Sequence, residues 1–183
     1  MSKPPVKYGP EKLVYQGIIF DIIQRQVSFP DEEKTFEFCH RTDSVVVLPF
    51  DDKGRLLLIK EYRHREDKKM FFLPAGRADI PGEKPLATAK RELREESGFA
   101  AKTWKLFHKR YPSTNMIWTT HVYAAKDLRY APLKGDEHFP IEVIPTPWKQ
   151  AVRMAKDGTI RSEFISYCIL RFDHLQKTGE FKW

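Results

Sequence analysis

Between Pro74 and Phe99 the chain reads PAGRADIPGEKPLATAKRELREESGF. A loop bearing Gly and Pro runs there into a segment with Pro85 at its head and Gly98 just past its end. Those are the residue preferences of a helix start and stop, so a helix is expected from Pro85 to Ser97. Glu92, Glu95 and Glu96 then stand at i, i+3 and i+4 and project from one face. Like charges so placed repel by roughly 0.2–0.5 kcal/mol per pair. A hard divalent cation between the carboxylates reverses that balance, because such ions take oxygen ligands. A metal-binding helix beside a water-accessible cleft points to hydrolysis of a phosphate compound.

The same residues carry a family resemblance. RELREESGF resembles the core of the Nudix box. Gly76 and Glu83 fill its early places, and Arg91, Glu92, Leu93, Glu95, Glu96, Gly98 and Phe99 its late ones. The spacing from Glu83 to Arg91 follows the family pattern. One extra residue separates Gly76 from Glu83, within RADIPG, where an insertion is cheap and leaves the helix register untouched. The resemblance implies that Glu92 and Glu96 are the principal metal ligands, with Glu95 as a third. Arg91 orients or partly neutralises them. The backbone carbonyl of Ala75, just before the box glycine, is implied as a further ligand. Mg²⁺ is the implied cofactor, with Mn²⁺ as a substitute. Glu83 is either a support for the cluster or a plain charge at the helix start.

Composition sets the frame. The 183 residues, 41% of them hydrophobic, suit one globular domain with an appendage. No apolar run is long enough to span a membrane. The opening MSKPPVKYGPEK lacks the apolar core of a secretory leader. Cys39 and Cys168 show no metal-like spacing, and a reducing cytoplasm is expected. The formal charge of +7 is spread along the chain without a zinc-finger or RNA-recognition signature. Most of it is read as solvated surface, or as attraction for small anionic substrates, and a nucleic-acid partner is not expected.

Three segments follow along the chain. Residues 1–12 read as a polar tail. Residues 13–42 read as an N-terminal β segment, with strand-like runs at Val14–Phe29 and Thr35–Arg41. It is too small to stand alone and must pack on the main body or on a second subunit. Residues 43–183 form the main body. SVVVLPF and RLLLIKEYR read as strands joined by the DDKG turn. Further strands are expected at Trp104–Arg110, Trp118–Ala125 and Ile141–Ile144. A helix N-capped by Thr146 and a final helix running from Ser162 to Gly179 complete the body. Leu86, Ala89 and Leu93 are expected to face the sheet, with the glutamates beside that face. Mixed strands with helices on both sides imply an α/β/α sandwich, and the Nudix-type fold implied by the resemblance is the same.

Flanking residues resemble the branch that holds ADP-ribose pyrophosphatases and other nucleoside-diphosphate-sugar hydrolases. KEYRHRE before FFLPAG looks like the strand of that branch whose arginine, here Arg63, reaches a substrate phosphate. Aligned on Ile141–Val143, Glu137 of KGDEHFPIEV falls on the position of the general base, with Asp136 as the fallback. The N-terminal strands of that branch form a swapped dimer sheet and supply an aromatic to the nucleobase. Phe20 or Phe29 and Arg41 are the candidates here. TNMIWTT after the box resembles a smaller subgroup acting on adenosine-diphosphate compounds. The expected activity is Mg²⁺-dependent cleavage of nucleoside-diphosphate sugars, ADP-ribose or GDP-mannose, to a nucleoside monophosphate and a sugar phosphate. Dinucleoside polyphosphates, NADH, an RNA 5′ end or a non-catalytic nucleotide-sugar sensor are the rivals. A homodimer through the N-terminal strands is the expected assembly.

Overall fold

The computed structural model describes residues 5–135 and 139–183. In chain order the elements are β1 (Lys7–Gln16), β2 (Asp21–Ser28), β3 (Glu33–His40), β4 (Ser44–Pro49), β5 (Leu56–Arg63), β6 (Lys68–Phe72), β7 (Ala75–Arg77), α1 (Pro85–Ser97), β8 (Phe99–Arg110), β9 (Met116–Ile117), β10 (Thr120–Tyr130), β11 (Glu142–Thr146), α2 (Trp148–Lys156) and α3 (Glu163–Lys177). They fall into two compact units, residues 1–43 with 110–119, and residues 44–109 with 120–183.

In the larger unit, alternation along β4 explains the layers. Side chains of a strand point to opposite faces in turn. Val45 and Val47 join Ala89 and Leu93 of α1 in one buried cluster, with Tyr123 and Ala125 of β10. Val46 and Leu48 join Ala151 and Val152 of α2 and Ile165, Ile169 and Phe172 of α3 in another, with Val122 and Ala124. One sheet thus carries a helix on one face and two on the other, which is the expected α/β/α sandwich. Each fully buried aliphatic or aromatic side chain contributes roughly 1.5–3 kcal/mol to holding the layers together. The sheet order is β7-β4-β10-β8, with β4 parallel to β10 and antiparallel to β7. A second sheet, β11-β5-β6, is antiparallel throughout.

The smaller unit is a four-stranded sheet of order β1-β2-β3-β9. Here β1, β2 and β3 form an antiparallel meander, and β9 adds parallel to β3 through Cys39↔Met116 and His40↔Ile117. Leu13, Val14, Tyr15 and Ile19 are exposed, and Ile18 is 99% exposed.

Several boundaries differ from the sequence reading. β1 begins at Lys7, inside the stretch read as a polar tail, because its backbone pairs with Val27 and Ser28 of β2. Trp118 follows the short strand β9 and precedes β10, so the expected strand from Trp118 to Ala125 starts at Thr120 and runs on to Tyr130. Thr146 ends β11 and turns its hydroxyl to the carbonyl of Ile144, so Pro147 takes the cap position of α2. α1 matches its expected bounds, and Gly98 closes it in the left-handed conformation at φ 78°. Ser162 caps α3 by accepting from the Ile165 amide. Among the described residues no helix is long and apolar enough to cross a membrane.

Candidate active site

The acidic face of α1 packs more deeply than the helical period suggests. Leu86, expected on the sheet side, is 36% exposed, whereas Glu92 and Glu96 are each 8% exposed. The reason lies in β7. Ala75 and Gly76 are too small to fill the space beneath the helix, and the two carboxylates enter it. The Ala75 amide donates to Glu96 Oε2 at 2.8 Å. A Cβ at Gly76 would stand 2.0 Å from the Glu92 carboxyl carbon. A larger residue there would push the Glu92 carboxylate from its seat, so glycine serves close approach rather than a special backbone angle.

Arg91 organises the cluster. Its Nη1 donates to Glu92 Oε1 at 2.8 Å and to Glu95 Oε2 at 2.9 Å. Its Nη2 donates to Glu83 Oε2 at 3.2 Å and to the Arg77 carbonyl at 3.4 Å. Thr88 adds its hydroxyl to Glu83 Oε2 at 2.9 Å. Glu83 is thus bonded to Arg91 and Thr88 rather than standing alone at the helix start. Burial works to raise the Glu83 carboxyl, but its bonds from Arg91 and Thr88 outweigh that and hold it below its ordinary range. Glu92 behaves oppositely. Burial pushes its carboxyl up to about 7 against the pull of Arg91, and the charges of Glu95 and Asp79 push the same way.

Glu83, Glu92, Glu95 and Glu96 are four carboxylates sharing this region with the one guanidinium of Arg91. The residual negative charge, held on oxygen donors and partly desolvated, is the donor set a hard divalent cation takes. Among the described residues no group of three such side chains stands gathered into a ready cage. The bonds explain this: Arg91 draws Glu92 and Glu95 aside, and the Ala75 amide holds Glu96. A cation would compete for the same oxygens.

Arg63 lies at the end of β5, paired with the buried Glu61, its guanidinium carbon 4.3 Å from the centre of the Phe72 ring. Glu61 and Arg63 share a strand face with Ile59. Glu95 and Glu96 line one side of a cavity of about 500 Å³, and Gly135, Phe139, Ile141 and Val143 line another. Glu137 and its fallback Asp136 lie outside the described residues.

In the smaller unit Phe20 and Arg41 come together. The Arg41 guanidinium sits 5.8 Å from the Phe20 ring centre and 4.5 Å from that of Trp118. Phe20 and Trp118 are 6.0 Å apart. Phe29 instead pairs with Phe36. The sequence reading took Trp118 as the first residue of a strand and did not place it beside Phe20 and Arg41; in TNMIWTT it follows Met116 and Ile117, so nothing local sets it apart from a packing residue.

Comparison with known proteins follows the same lines. The chain is 37% identical over 94 residues to an ADP-ribose pyrophosphatase of Mycobacterium tuberculosis, covering 51% of this chain and 45% of that protein. It is 26% identical over 160 residues to an ADP-ribose pyrophosphatase of Bacillus subtilis, covering 85% and 86%. The ADP compounds hydrolase NudE of Escherichia coli is 30% identical over 120 residues, 63% of this chain and 61% of that one. The chain thus spans about half the length of the mycobacterial protein and most of the Bacillus one. A crystal structure of an ADP compounds hydrolase superposes with a TM-score of 0.82 at 22% identity, covering 99% of this chain and 100% of that one, a likeness of fold. The NUDIX domain model matches residues 40–167, a span that holds the Gly76 loop, the four glutamates and Arg91, and the chain accordingly belongs to the Nudix family.

Proposed function

We propose that the chain is a Mg²⁺-dependent pyrophosphohydrolase of nucleoside-diphosphate sugars, with ADP-ribose as the leading substrate and GDP-mannose as a second. Nudix membership makes it a hydrolase of phosphoric anhydrides. One observation supports the metal most directly: three carboxylates bond to a single guanidinium with Glu96 on the same helix beside them, and burial lifts Glu92 to about 7. Glu92, Glu95, Glu96 and the Ala75 carbonyl would hold the ion, and Mn²⁺ would serve in its place. A bound divalent ion supplies charge for the diphosphate oxygens and a water of lowered pKa.

The chain's own residues do the rest. Arg91 holds Glu92 and Glu95 in place before the cation arrives. Arg63 presents a guanidinium fork to the diphosphate. Glu137 takes the proton of the attacking water. Arg41 and Phe20, with Trp118, offer flat cationic and aromatic surfaces to the nucleobase. Cleavage yields a nucleoside monophosphate and a sugar phosphate.

A panel of nucleotide sugars, dinucleoside polyphosphates, NADH and capped RNA with Mg²⁺, products identified by mass in ¹⁸O water, tests this reading. ADP-ribose should be turned over fastest, to AMP and ribose phosphate. In the same panel Glu137→Gln should turn over about tenfold or more slowly, with the metal half-saturation unchanged. An unchanged rate places the base elsewhere, and preference for another substrate class replaces the substrate assignment.

We propose further that two copies pair through the N-terminal sheet. Leu13, Val14, Tyr15, Ile18 and Ile19 form a run of exposed apolar side chains, and apolar surface of this kind marks interaction sites. The solution mass should be twice the 21.6 kDa of the chain. A single-chain mass at micromolar concentration ends that proposal.

A further inference from the structure

Arg94 lies inside the metal-bearing helix but points away from the acidic cluster. Its Nε donates to the Ala131 carbonyl at 2.8 Å. Its own carbonyl accepts from the Leu133 amide at 3.3 Å and from the Gly98 amide at 3.1 Å. The Gly98 carbonyl accepts from the Ala131 amide at 2.9 Å. The last turn of a helix has carbonyls without intrahelical partners. Here the chain leaving β10 supplies a donor to the Gly98 carbonyl and a second donor to the Arg94 carbonyl, and the Arg94 side chain returns a bond in the other direction. Tyr130, stacked edge-on against Phe99 at 5.9 Å, closes the same joint. A Cβ on Gly98 would come within 3.2 Å of that tyrosine ring.

The joint sits between two walls of one cavity. Glu95, Glu96 and Gly98 on one side are continuous with Arg94 along α1. Gly135 on the other side follows two residues after Leu133. Phe139, Ile141 and Val143 extend that wall toward β11. Arg94 thus ties Ala131 and Leu133, which lead into the Gly135 side of the cavity, to the glutamate-bearing helix end, while β11 is held separately by its pairing with β5.

We propose that Arg94 is a positioning residue for the reaction, acting by fixing Ala131–Leu133, the segment that leaves β10, against the C-terminal turn of the metal helix. It touches neither substrate nor metal. The proposal rests on the pyrophosphohydrolase reading for its kinetic consequence and on hydrogen bonds alone for its structural one. Misplacing reacting groups by about an ångström costs up to a hundredfold in rate, and loosening one of several bonds at the joint costs part of that. Lysine keeps a cationic donor at this position, and alanine removes it.

The test compares the wild-type chain with Arg94→Ala and Arg94→Lys. Hydrogen exchange of the metal-free proteins should show the Ala131 and Leu133 amides exchanging about tenfold faster in the alanine variant. The β10 amides should be unchanged, and the lysine variant should recover most of the protection. With Mg²⁺ and ADP-ribose, Arg94→Ala should lower kcat about tenfold, leave KM and the metal half-saturation within twofold, and be rescued by lysine. Unchanged exchange at Ala131 and Leu133 overturns the tether. Faster exchange with unchanged kcat overturns the positioning role, as does a loss of metal affinity in step with kcat. Wild-type protein inactive on ADP-ribose defeats the substrate reading and the positioning role together, while the exchange measurement still decides the tether.

Discussion

Glu96→Gln should lower Mg²⁺-dependent turnover about a hundredfold or more while the protein stays folded. Removing even the partner of a metal ligand commonly costs 10–100-fold, and a ligand itself stands closer to the chemistry. The glutamine is nearly isosteric. Its side-chain oxygen can still accept from the Ala75 amide, so the bond that seats Glu96 under α1 survives. What is lost is one negative charge from the cluster. Thermal unfolding of the metal-free variant should match the wild type within a few degrees, and the stabilisation by added Mg²⁺ should shrink. Full activity in the variant would refute the assignment of Glu96 as a ligand.

The second large effect concerns pH. The Glu92 carboxyl is raised from an ordinary 4.5 to about 7, first by burial. Between those two values the folded metal-free protein keeps a proton that the unfolded chain releases. Stability falls with rising pH wherever the folded state binds more protons. The contribution of Glu92 is therefore most favourable below about pH 4.5 and is lost as pH rises through about 7. The full loss is on the order of 3 kcal/mol. A cation should reverse the trend, because it favours the charged carboxylate and displaces the proton. Urea unfolding at pH 5 and pH 8, with chelator and with Mg²⁺, reads this directly. The Glu92→Gln protein serves as reference, because depressed groups such as Glu83 and Asp51 act in the opposite sense at lower pH. A wild-type profile parallel to that of Glu92→Gln in chelator would show that Glu92 ionises as an ordinary surface acid.

The bounds of the glutamate-bearing helix were legible because its stops are local. Pro85 and Gly98 act through their own backbone preferences, and the structure places the ends of α1 where those preferences put them. The depth of the glutamates was not legible. Periodicity assigns a carboxylate to the solvent side, and only the gap left by Ala75 and Gly76, in the strand that precedes the helix, admits Glu92 and Glu96 beneath it. The same limit hid the start of β1, where pairing with β2 overrides a polar, Pro-bearing sequence. It also hid the Arg94 joint, whose partners at Ala131 and Leu133 lie far along the chain. Phe20 and Arg41 were each named from likeness to relatives, and that they touch was not foreseen. Their contact through Trp118 depends on the return of residues 110–119 to the N-terminal unit, which no local pattern announces.

The alternation of β4 has a bearing on how this chain tolerates change. Val45 and Val47 lean on the helix that carries the acids, while Val46 and Leu48 lean on the pair of helices behind. A trimmed side chain at Val47 loosens the floor under the chemistry. The same trimming one residue along opens the opposite layer instead. Either loss costs stability, because both side chains are buried, but only the first is taken directly against the glutamate-bearing helix.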